Sequence, residues 1–143
     1  MKKILGLDVG SKTIGVAISD GLGWTAQGLT TIQWDENHLT SADEELKEII
    51  EKHGVQKVVI GIPKHMNGTI GERGEHSISF AKHIEKVFQL ETVLWDERLS
   101  TVAAERTLLE ADLSRKKRRK LIDKMAAVMI LQGFLDQQNK GVT

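Results

Sequence analysis

The chain has no cysteine, a single proline and no apolar run long enough to span a bilayer. Each shortage removes a class of protein. Without cysteine there is no disulfide framework, no thiolate zinc site and no cysteine nucleophile, which suits a reducing compartment. The apolar start "MKKILGLDVG" meets Asp8 before it reaches the length a signal peptide needs, so no export is expected and the expected location is cytoplasmic. No membrane partner is expected either. At 143 residues, 40% hydrophobic and 28% charged, the composition is that of one soluble globular domain, residues 1–138, with a polar tail, 139–143, that frays.

A formal net charge of zero hides an uneven distribution. Arg115, Lys116, Lys117, Arg118, Arg119 and Lys120 take six of the twenty Lys and Arg residues, which leaves fourteen against twenty Asp and Glu. The body is acidic and one segment is strongly basic. Such a block is either a phosphate contact or a solvated helix entrance.

Hydrophobic patterning orders the chain. Residues 3–9, 14–19 and 28–34 read as a three-stranded meander, and residues 41–54 as a helix with a Ser41/Glu44 capping box and a Gly54 stop. "KVVIGIP", closed by the proline, reads as a strand buried on both faces. After the Gly-rich loop of residues 64–74, Ile78, Ala81, Ile84, Val87 and Phe88 space out as a second helix. "TVLWDER" is a fifth strand, Ser100 or Thr101 caps a helix to about Glu110, and a last helix follows the basic loop over residues 118–138. Hairpin strands followed by strand–helix crossovers predict an α/β fold, a five-stranded mixed sheet with helices on both faces. Trp24, Trp34 and Trp95 read as packing residues, Met125 and Met129 as core, and His65 as the one histidine worth testing, on a surface loop.

Three carboxylates stand where apolar residues are expected. Asp8 ends an apolar strand, Glu97 extends the face of Val93 and Trp95, and Asp123 shares a helical stripe with Ala127, Ile130 and Phe134. Burying an ionised carboxylate is costly unless it has a partner. If the first and fifth strands run parallel, Asp8 and Glu97 emerge at one sheet edge and Asp123 closes over them. Oxygen donors without cysteine or a histidine pair favour Mg²⁺ or Mn²⁺. Each acid also has a local alternative: Asp8 capping a turn, Glu97 pairing with Arg98 or Arg106, Asp123 pairing with Arg119. In "DVGSKTIGVA", Gly10 permits a tight turn and Gly15 removes a side chain where another group comes close, while Ser11, Lys12 and Thr13 are placed to meet a phosphate.

These motifs resemble those of the YqgF proteins, also called RuvX or Holliday junction resolvase-like proteins, in the RNase H-like superfamily. The likeness rests on "GLDVGSKTIGVAISD", "VVIGIPKHMNGTIGERG", "WDERLSTVAAERTL" and "IDKMAAVMILQGFL", in that order, and covers nearly the whole chain. It implies an RNase H-like fold and a metal-dependent nuclease that processes the 5′ end of pre-16S rRNA in ribosome biogenesis. The family's acids fall on Asp8, Glu97 and Asp123. His65 and Asn67 stand where many relatives carry Asn and Asp.

The expected chemistry is phosphodiester hydrolysis with one or two divalent ions on those three acids. Lys12, Arg98 and the block from Arg115 to Lys120 would hold backbone phosphates. The expected partner is nucleic acid, an RNA precursor before a DNA junction, with ribosomal particles as a further candidate and a monomer or homodimer as the assembly. The alternatives are a Holliday junction resolvase acting on DNA, a non-catalytic RNA-binding protein, and an ATP-binding module, since a D-x-G hairpin also opens sugar kinases and actin.

Overall fold

The computed structural model describes residues 3–99 and 115–140, and of residues 115–121 the helical backbone alone. Five strands form one sheet: β1 (Lys3–Val9), β2 (Thr13–Ser19), β3 (Ala26–Gln33), β4 (Val55–Ile62) and β5 (Glu91–Asp96), in the order β3-β2-β1-β4-β5. The first three pair antiparallel, as hairpins allow. β4 and β5 are reached through helices α1 (Asp43–His53) and α2 (Glu72–Phe88) and run parallel to β1. The mixed sheet is the one the alternation of elements predicts.

Apolar side chains on both faces of β1 and β4 explain their unbroken hydrophobic sequence. On one face Leu5, Leu7, Val58 and Ile60 pack with Leu46 of α1 and with Phe80 and Ile84 of α2. On the other, Ile4, Ala17 and Val59 pack with Ala127, Ile130, Leu131 and Leu135 of the last helix, α3 (Arg115–Asn139). Small residues make the seat for α3. A Cβ added to Gly6 would lie 2.7 Å from the Leu131 Cβ, and one added to Gly61 would lie 2.4 Å from the Ile130 Cδ1. Helix and sheet therefore approach closely at the middle of β1 and near the end of β4.

Several expectations need correction. The Ser41/Glu44 capping box does not form. α1 starts at Asp43 after a 3-10 turn over Leu39–Ala42, because the Ser41 hydroxyl is taken by the Asp35 turn, accepting from its N–H at 2.9 Å and donating to its carbonyl at 3.2 Å. Gly54 does stop α1, in the left-handed region at φ 63°. The basic segment is no loop: the helix already begins at Arg115, since Lys and Arg are strong helix formers and nothing there breaks the helix. Asn139, expected at the start of the fraying tail, instead ends the helix, and its side-chain N–H donates to the Gly23 carbonyl at 2.9 Å.

Trp34 and Trp95 are buried, but Trp24, on the β2–β3 turn, is 52% exposed, and Met125 sits on the outer side of α3 rather than in the core. Met129 packs on the core as expected. The helix expected from Ser100 or Thr101 lies outside the described residues, as do the side chains of the basic block. Among the described residues no helix is long and apolar enough to cross a membrane.

Candidate active site

Parallel β1, β4 and β5 end at one edge of the sheet, and the three acids gather there. Asp8, the penultimate residue of β1, pairs in register with Gly15 and is buried. Glu97 follows β5 in a short 3-10 turn, and its Cγ lies 3.3 Å from where a Gly61 Cβ would stand, which puts it over the end of β4 on the α3 side. Asp123 comes from α3. Its carbonyl oxygen would lie 2.0 Å from a Cβ on Gly15, so the bare backbone of β2 is what lets this turn of helix reach the sheet. The Thr13 hydroxyl, buried at the start of β2, donates to the Asp123 carboxylate. Thr13 thus orients an acid instead of facing solvent, while Ser11 and Lys12 in the turn are exposed.

Asp8, Glu97 and Asp123 line one cleft of about 250 Å³ with Pro63, Arg73 and Ser77. The donor set is entirely carboxylate on the acidic side, which suits a hard divalent cation. Among the described residues no three acids or histidines stand close enough to cage an ion as they are placed. The three acids share the lining of one cleft.

Arg73 is the residue the sequence reading missed. It is the second residue of α2, its Nη1 pairs with Glu36 Oε2 at 2.5 Å, and its Nη2 donates to the carbonyl of Val9, next to Asp8, at 3.2 Å. The Ser77 hydroxyl donates to the Arg73 carbonyl at 3.2 Å. A signal was present: a cation in the first turn of a helix works against the helix dipole, so it has a reason other than helix stability.

Arg98 is committed locally. Its Nε and Nη2 bind the Asp96 carboxylate, at 3.1 and 2.7 Å, and its Nη1 reaches the Met66 carbonyl at 3.3 Å. These hydrogen bonds hold the Asp96 carboxyl below the usual aspartate range and raise the Arg98 guanidinium further above its own. Lys64 adds a longer contact to Asp96 at 3.9 Å. The result is a brace between the end of β5 and the loop that follows β4.

Residues 2–137 match the family model described as "RuvX: Holliday junction resolvase". The chain belongs to the RuvX family. Among curated relatives, a protein of Oceanobacillus iheyensis is 73% identical over 136 residues, which is 95% of this chain and 99% of that one. One of Bacillus pumilus is 60% identical over 137 residues, 96% and 99% of the two chains. Both carry the name "Putative pre-16S rRNA nuclease". Among solved structures, Thermus thermophilus RuvC in complex with a Holliday junction substrate superposes with a TM-score of 0.59 at 9% identity, over 97% of each chain. The yeast mitochondrial Holliday junction resolvase Ydc2 gives 0.52 at 16%, over 97% of this chain and 80% of that one. At such identities the likeness is one of fold alone: this RuvX-family chain has the RNase H-like fold of those resolvases.

Proposed function

We propose that this RuvX-family protein is a metal-dependent nuclease whose substrate is the precursor of 16S rRNA, cut at its 5′ end in the cytoplasm. The observation that carries the reading is the convergence of Asp8, Glu97 and Asp123, distant in sequence, on one cleft at the ends of parallel strands. The names of relatives up to 73% identical support the substrate.

Asp8, Glu97 and Asp123 would hold Mg²⁺ or Mn²⁺, which when bound supplies Lewis acidity toward the phosphoryl group and eases deprotonation of an attacking water. Asp8 offers its carboxylate from a rigid strand. Thr13 fixes the direction of Asp123, and Gly15 fixes its depth. Pro63 and the buried Ser77 hydroxyl close the floor. Lys12 in the exposed turn and the cations from Arg115 to Lys120 hold backbone phosphates, so binding weakens as salt rises.

The test is cleavage of a labelled panel holding the rRNA precursor, unrelated single-stranded RNA and a four-way DNA junction. The wild type is expected to trim the precursor only with Mg²⁺ or Mn²⁺. Asp8→Asn should fold normally and lose at least about 100-fold in rate, more than a change outside the ligand set costs. Equal rates for the two proteins would remove the catalytic assignment. The family description and the RuvC-like fold favour a second reading, resolution of DNA junctions. It requires cutting of the junction in preference to the precursor, and a dimer to match its two symmetric strands.

A further inference from the structure

Beside the cleft lies a second cavity of about 300 Å³, and Pro63 and Arg73 line both. It is lined by Lys64, His65 and Gly71 of the segment between β4 and α2 and by Glu72 and Gly74 of α2 itself. That volume is at the small end for a ligand pocket and suits a base with its ribose.

The segment is held in shape. His65 N–H donates to the Thr69 carbonyl at 2.9 Å, the Asn67 carboxamide oxygen accepts from the Thr69 N–H and hydroxyl at 3.0 and 2.7 Å, and Arg98 ties the Met66 carbonyl to Asp96. The His65 imidazole rests against Gly71, where three ring atoms lie within 4 Å of the place a Cβ would take, the nearest at 2.8 Å. A side chain at that position would push the ring away. His65 is nevertheless exposed to solvent, as is Met66 beside it. A braced ring open to solvent, a proline wall and a cation toward the acids make a surface for stacking one base and gripping one phosphate.

We propose that this cavity is the subsite for the nucleotide adjoining the scissile phosphate, with the base against Pro63 and His65 and the phosphate held by Arg73. The proposal rests on the nuclease reading above. Arg73 counters the repulsion that three carboxylates exert on a phosphate. Glu36 and the Val9 carbonyl fix its fork while leaving other N–H donors of the five for a ligand.

The probe is a single-stranded RNA carrying the 5′ flank of the 16S rRNA precursor, intact or with one abasic ribose on either side of the cleavage site. Binding is read by fluorescence anisotropy on the Asp8→Asn background, and cleavage on the active enzyme. At one of the two positions the abasic RNA should bind about tenfold more weakly. His65→Ala should lose about the same on intact RNA and nothing further on the abasic one, with KM raised and kcat within about threefold. Arg73→Gln should weaken both RNAs and flatten the salt dependence, and Arg73→Lys should recover part of the binding. An unchanged intact-to-abasic ratio in His65→Ala, in an enzyme that still cuts RNA, overturns the subsite and leaves the nuclease reading standing. A wild type that neither binds nor cuts any RNA overturns both.

Discussion

Gly15→Ala adds one methyl group where the structure has no room for it. The new Cβ would stand 2.0 Å from the Asp123 carbonyl oxygen, 2.4 Å from its carbon and 3.1 Å from the Lys124 nitrogen. All three are backbone atoms and cannot swing aside. Ordinary contact begins near 3.4 Å, so α3 must retreat by about 1.4 Å at this turn, carrying Asp123 away from Asp8 and Glu97. Overpacking of this kind costs about 2 kcal/mol, or about 6 °C in Tm for a chain of this size. A misplacement of that order at the chemistry costs about 100-fold in rate. The control is Gly54→Ala, at the far edge of the sheet. There the backbone has φ 63° with nothing within 4 Å, so the substitution strains the chain by about 1–2 kcal/mol without touching the cleft. Melting curves and precursor cleavage should separate the two: both variants lose Tm, and only Gly15→Ala loses rate. Full activity in Gly15→Ala, or an equal loss in Gly54→Ala, would refute the idea that helix depth sets the site.

Thr13→Val keeps the shape of a buried side chain but removes the hydroxyl that donates to Asp123. It should cost about 1 kcal/mol of stability and raise the metal concentration needed for half-maximal cleavage, and an unchanged metal requirement would count against the orienting role. Arg98→Ala should release the loop of residues 64–70 and lower Tm at neutral pH. Because Asp96 titrates below its ordinary 3.8 in the folded protein, mainly through its hydrogen bonds to Arg98, the stabilisation is present above that value and lost as pH falls through the lowered one. The Tm gap between wild type and Arg98→Ala should therefore hold steady from pH 7 to about pH 5 and shrink only below about pH 4.

The sheet was legible because its strands carry two separate signals: alternation and turn residues in the hairpins, and unbroken apolar runs in the strands covered on both sides. The meeting of Asp8, Glu97 and Asp123 at one cleft was legible for the opposite reason, as charges interrupting those patterns. The contacts of Thr13 and Arg98 were not, because a hydroxyl or guanidinium near a turn reads equally well as facing phosphate or facing protein. Only the approach of α3 to Gly15 decides for Thr13, and only the position of Asp96 decides for Arg98. The Ser41 cap failed because the helix starts one residue later than expected, at Asp43 after Ala42, and the Ser41 hydroxyl turns to the Asp35 backbone instead.

The most direct measurement is an anomalous difference map from crystals grown with saturating Mn²⁺. A peak in the cleft, ligated by Asp8 together with Glu97 and Asp123, is the predicted result. A cleft without a peak, or ions bound only elsewhere on the molecule, would contradict the account.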